Sequence, residues 1–239
     1  MTTRHTDIAM ALTAVRERIA RAADAADRDP AELTLIVVTK FFPVTDVRSL
    51  LELGVRDFGE SRDQEASVKF AEVRDWAPEA RIHFIGQVQS NKAASVATYA
   101  DVVHAIDRHR LVAALDRGAQ HAGRALDVLV QVDLDERPRD RADGLRGGAS
   151  AALAPYLATA VIRSTALTLR GVMAVAPLGV DPGPAFGRLA KISAALRHSH
   201  PGASWISAGM SGDLEAAVAH GATHLRVGTA ILGSRPPLR

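Results

Sequence analysis

The sequence contains no cysteine in its 239 residues. Disulfides, thiolate nucleophiles and cysteine-based zinc sites are therefore excluded. An excess of either charge is also missing: 29 Lys and Arg stand against 27 Asp and Glu, a formal net charge of +2. A near-neutral chain with scattered basic residues does not read as an obligate nucleic-acid binder. The longest weakly polar stretch, AALAPYLATAVI at 151–162, is too short to span a bilayer, so no membrane partner is expected. The N-terminal segment carries charges where a signal peptide needs an uninterrupted apolar run, which points to the cytoplasm. No G-x-G-x-x-G, H-E-x-x-H or G-x-S-x-G occurs, and the nine histidines show no metal-ligand spacing. Asp133 and Asp135 read as a solvated pair at a loop start, so no metal is expected. No Pro/Gly-rich linker or internal repeat divides the chain, so 1–239 is read as a single domain.

What is present is an alternation. Ile8, Leu12, Val15 and Ile19 recur at helical spacing and predict an amphipathic helix over about 6–27. Short β-rich runs follow at 33–39, 55–60, 81–86, 101–106, 127–133, 168–175, 204–208 and 224–230, separated by Ala/Leu-rich helical patterns. Eight such runs predict an α/β fold, a single (β/α)8 barrel of the triosephosphate-isomerase type over about 33–234, with an extra N-terminal helix. An open doubly wound sheet is the competing architecture. Thr45 is placed as the N-cap of a helix stopped at Gly54, and Ser211 as the start of one stopped at Gly221. Irregular stretches at 134–148 and 178–184 fall between a strand and its helix, where barrel loops carry function.

Chemistry in such barrels sits at the C-terminal ends of the strands. Those ends here carry Lys40, Gly59-Glu60-Ser61, Gly86-Gln87, Asp133, Met173, Ser207-Ala208-Gly209-Met210-Ser211 and Arg226-Val227-Gly228-Thr229. Small and hydroxyl residues after the last two strands suit a phosphate, because glycine lets backbone N–H groups approach and Ser and Thr add hydroxyls. Lys40 stands where an apolar β-branched run stops. Alone it reads as a lysine reaching for solvent. Opposite a phosphate site it reads as an amine nucleophile for an aldehyde. An aldehyde and a phosphate on one small ligand describe pyridoxal 5′-phosphate (PLP), and a phosphorylated sugar aldehyde fits as well.

The segments VVTKFFPVTDV, GVRDFGESRDQE, IHFIGQVQSNK, RGVMAVAP and SAGMSGDLEAAVAHGATHLRVGTAILG span about 33–234. In content and order the chain resembles the family of PLP homeostasis proteins, which share the alanine racemase N-terminal barrel. The resemblance implies PLP held as a Schiff base on Lys40. It implies phosphate contacts from Ser207, Gly228 and Thr229, with helix-start backbone around Gly209 and Met210. It places Arg226 beside the pyridine nitrogen, with Ser61, His83, Asn91 and Met173 near the cofactor or lining the barrel mouth. No catalytic residue is assigned. The chain departs from the family pattern at Ser61, where asparagine is usual, and at Ala208 and Asp133.

The resemblance implies a protein that buffers or delivers PLP inside the cell without efficient catalysis, with apo-enzymes that need PLP as recipients and a monomer as the working form. A PLP-dependent amino-acid racemase with weak activity is the alternative. Racemases of this type use a tyrosine from a further β domain. The chain ends just past the last strand and has two tyrosines, Tyr99 and Tyr156, both in helical patterns. A Schiff-base aldolase without PLP is the third reading, and a regulatory protein that only senses PLP the fourth.

Overall fold

The computed structural model describes residues 3–135 and 147–234. The strands are β1 (Thr34–Val38), β2 (Asp57–Glu60), β3 (Arg81–Phe84), β4 (Val102–Ile106), β5 (Leu126–Gln131), β6 (Leu167–Met173), β7 (Trp205–Ser207) and β8 (His224–Val227). All pair in parallel in chain order, and β8 closes onto β1 through Thr34↔His224 to Val37↔Val227. The closed barrel replaces the open-sheet alternative. Each strand lies within or one residue beyond its predicted run. The last pairs stop sooner because the chain must turn outward at the barrel mouth.

Around the barrel run α2 (Val44–Glu52), α3 (Asp63–Trp76), α4 (Ala93–Tyr99), α5 (His109–His121), α6 (Ala154–Ile162), α7 (Pro182–Ser199), α8 (Leu214–Ala219) and the single turn α9 (Thr229–Leu232). Two expected caps fall elsewhere. Pro43 is the N-cap of α2 and Thr45 lies inside the helix, since proline's fixed φ suits the turn that opens it. Asp213, not Ser211, precedes α8; its carboxylate accepts the Met210 N–H, which holds 210–213 as a loop. The expected loop at 134–148 lies mostly outside the described residues.

The N-terminal helix α1 (Thr3–Asp24) buries Ile8, Leu12, Val15 and Ile19 against α9, α8 and α2. Arginines on and just after it donate to carbonyls at neighbouring chain turns. Arg4 Nη2 reaches Leu232 O at 3.1 Å, Arg18 Nη1 reaches Ser211 O at 2.7 Å, and Arg28 Nη1 reaches Ala222 O at 2.7 Å. Arg18 also pairs with Glu215. The helix therefore braces the loops that follow β7 and β8. Leu12 is 1% exposed. Replacing Leu12 by Ala is expected to cost about 2–5 kcal/mol in chemical denaturation, the range for a buried leucine that leaves a cavity.

Candidate functional site

A cavity of about 330 Å³ opens at the C-terminal end of the barrel. Lys40, Arg226, Met210, Ser211, Gly228 and Thr229 line it together with Phe41, Phe42 and Ile85. Its volume is in the range of small-ligand sites. Residues from the first, seventh and eighth strand ends meet here because barrel closure sets β8 beside β1.

Lys40 follows β1 in a tight turn closed by Phe42 N–H to Thr39 O at 3.1 Å. Phe41 takes a left-handed φ of 71°, a conformation that a bulky residue keeps only when its surroundings enforce it. The enforcing group is Glu65 of α3, whose Oε1 accepts the Phe41 N–H at 2.5 Å. Lys69, one helical turn on, donates to Thr39 O at 2.9 Å, Glu60 Oε1 at 2.8 Å and Glu65 Oε1 at 3.0 Å. A buried second lysine thus grips the turn from below, while Lys40 is half-buried and carries no hydrogen bond or ion pair among the described residues. The spacing reading missed Lys69 and Glu65. Their signal was an i,i+4 Glu–Lys pair on the same helix as the apolar Ala66, Phe70 and Val73.

Arg226 of β8 is 4% exposed yet reaches the cavity wall. Its Nη1 donates to Ser207 Oγ at 2.6 Å and its Nη2 to Ala174 O at 2.9 Å. Burial lowers its pKa to about 10, so it remains a cation at neutral pH. Its remaining N–H donors are left for whatever fills the cavity.

Opposite, the backbone N–H groups of Ser211, Gly212 and Thr229 have no acceptor among the described residues. Gly228 lets the chain pass close to β1: a Cβ there would lie 3.1 Å from both Val38 Cβ and Val38 O, a tighter approach than a side chain usually keeps. This rim of donors suits an oxyanion.

Of the other residues expected at the site, Met210 alone lines this cavity among the described residues. Ser207 is fully buried, accepts from Arg226 and bonds His104, so its hydroxyl is not free for a phosphate; Ser211, four residues on, is the serine on the cavity. Gly209 is off the cavity wall. It takes φ +91° beneath α8, where a Cβ would lie 2.7 Å from Ala217 Cβ. Met210 lines the cavity, but its N–H is spent on Asp213. His83 lies in the barrel interior, bonded to Asp57 and His104, because its strand position points inward below the mouth. Met173 lines a neighbouring cavity of about 400 Å³ that shares Ile85 and Met210 with the first. Ser61 lines another of about 520 Å³, and Asn91 is exposed on the turn Ser90–Lys92.

Fold and cavity define a parallel barrel whose mouth holds a lysine unpaired among the described residues, a buried arginine and a rim of backbone donors. The sequence model of the family described as "Alanine racemase, N-terminal domain" matches residues 10–236. The pyridoxal phosphate homeostasis protein of Mycobacterium tuberculosis is 44% identical, with 97% of this chain and 94% of that protein covered. Its namesake in Escherichia coli is 36% identical over 96% of this chain and 97% of that one. The solved structure of PipY from Synechococcus elongatus with PLP bound superposes with a TM-score of 0.80 at 32% identity, covering 95% of this chain and 100% of that chain. The chain belongs to the alanine racemase N-terminal domain family, in the branch of the pyridoxal phosphate homeostasis proteins.

The Lys69 bracket is directly testable. Burial pushes the Glu60 carboxyl above its ordinary value, against the lowering pull of Lys69, and Glu60 Oε2 is buried without a partner. A raised acid pKa gives stability that is present at low pH and lost as pH rises through the folded value. Without the ammonium that value rises further. Lys69→Met is therefore expected to cost about 3–5 kcal/mol near pH 8, less as the pH falls towards 5. Denaturation midpoints across that range check it; a pH-independent loss would acquit Glu60.

Proposed function

We propose that this chain binds PLP reversibly through Lys40 and serves its supply inside the cell, rather than turning over a substrate. The observation that carries the reading is one cavity wall holding a lysine amine and a rim of N–H donors, all without partners among the described residues, beside a buried guanidinium. PLP, when bound, supplies an aldehyde that condenses reversibly with a primary amine. The chain's residues suit each part of that ligand. Lys40 offers the amine. Ser211, Gly212, Gly228 and Thr229 offer donors to the phosphate, and α1 steadies their loop through Arg18. Arg226 would offer an N–H to the ring nitrogen of the bound ligand. Because a guanidinium has donors only and keeps its protons, it would leave that nitrogen unprotonated and the ring a poor electron sink.

Both tyrosines lie away from the cavity. Tyr99 OH is bonded to Asp63 at 3.3 Å, and Tyr156 is 72% exposed on α6. Neither is positioned as a second base, which favours storage and delivery over racemisation. Apo-enzymes that need PLP are the proposed recipients, reached by exchange of amines at the ligand's aldehyde, with a monomer as the working form.

The deciding experiment is borohydride reduction of the PLP-incubated protein, followed by peptide mass spectrometry. A phosphopyridoxyl adduct on the peptide with Lys40 is expected, and its loss in Lys40→Ala. An adduct on another lysine, or none, would overturn the reading. Arg226→Ala is expected to weaken PLP retention and shift the absorbance of the bound ligand.

A further inference from the structure

The barrel interior holds a polar chain that the site as described does not use. Barrels of this class usually fill that space with layers of branched apolar side chains. Here Val102, Leu129 and Met173 form a small apolar cluster of their own. Beside it, Asp57 Oδ1 lies 2.8 Å from His83 Nε2, His83 Nδ1 lies 2.9 Å from His104 Nε2, and His104 Nδ1 lies 2.9 Å from Ser207 Oγ. Ser207 Oγ in turn receives Arg226 Nη1 at 2.6 Å. Five side chains from β2, β3, β4, β7 and β8 so connect a carboxylate at the start of β2 to the guanidinium on the cavity wall.

Proton accounting gives this chain a direction. Arg226 has only donors, so Ser207 Oγ must accept from it. The one hydroxyl proton of Ser207 then goes to His104 Nδ1. A neutral His104 must carry its proton on Nε2 and donate it to His83 Nδ1. His83 must likewise carry its proton on Nε2 and donate it to Asp57. Every donor meets an acceptor. The opposite direction would face the bare Nε2 of His83 with a carboxylate and leave the Ser207 proton without a partner. Burial first, then neighbouring cations and imidazoles, pushes the His104 pKa well below its ordinary value, and burial lowers that of His83 against the upward pull of Asp57. Both rings are thereby kept neutral, as the accounting requires.

We propose that Asp57, His83, His104 and Ser207 are positioning residues, a one-way hydrogen-bond relay that fixes Ser207 as the acceptor for Arg226 and aims the guanidinium into the cavity. The proposal rests on the PLP reading for what Arg226 meets there. The relay itself is made by the chain's own side chains. Its anchor, Asp57, is far from the cavity wall in chain position and lines none of the cavity, so an effect of Asp57 on the ligand must pass through the intervening groups.

Two measurements test it. Nitrogen NMR of the histidines in the PLP-free protein should show His83 and His104 both neutral with the proton on Nε2; a proton on His104 Nδ1 would overturn the direction and with it the relay. In the PLP-loaded protein, Ser207→Ala should hold PLP about tenfold less tightly, the loss expected for one hydrogen bond involving a charged group. It should also shift the bound ligand's absorbance, with the Lys40 adduct still formed. Asp57→Ala should shift the absorbance in the same direction. The double variant should be no worse than Ser207→Ala alone, because the two act in series. Variants that lower the melting temperature but leave the absorbance and retention of PLP unchanged would show a merely structural chain and overturn the proposal. Absence of any Lys40 adduct in the parent protein would instead sink the PLP reading, and the histidine spectra would still judge the relay.

Discussion

The constraint on which the structure turns is a guanidinium kept charged inside a closed barrel. Burying a cation without acceptors is prohibitive, so the interior next to Arg226 cannot be the usual apolar stack. It is met by Ser207 Oγ and Ala174 O, and Ser207 is met in turn by His104. Once His104 is committed, His83 and Asp57 follow, because each buried imidazole presents two nitrogens that must both be satisfied. A single arginine at the mouth thus dictates side chains on four other strands.

The lysine side of the cavity obeys the opposite logic. Lys40 carries no hydrogen bond or ion pair among the described residues, and its position is held by the backbone around it. Lys69 and Glu65 do that work by gripping Thr39 O and the Phe41 N–H, and they hold Phe41 at a left-handed φ. One lysine is fully paired so that its neighbour in space need not be. The same division appears at the rim of donors, where Asp213 absorbs the Met210 N–H and Arg18 takes the Ser211 carbonyl, while the Ser211 and Gly212 amides have no acceptor among the described residues.

These arrangements explain why the site was only partly readable from the chain. Lys40, Arg226, Gly228 and Thr229 stand at strand exits in local sequence, and strand exits are where a parallel barrel presents residues to its mouth. Ser207 and His83 sit at or near strand exits as well, yet both face inward and end in the relay. Adjacent positions on a strand point to opposite sides, and a shift of one residue in where the strand leaves the barrel moves a side chain from rim to interior. Ser211 passed for a helix cap because the role of Asp213 depends on a loop conformation that the sequence pattern does not encode.

Strand and helix periods, the order and parallel closure they imply, the lysine after the first strand and the family motifs are all legible in the chain. These are local or composition-level properties, set by side-chain period and turn residues within a few positions of one another. Which polar residues share the cavity and which share the barrel interior depends on how the strands close in space. Asp57, His83, His104, Ser207 and Arg226 span 169 positions between the first and the last, and their contacts exist because closure and register bring five separate strands onto one axis.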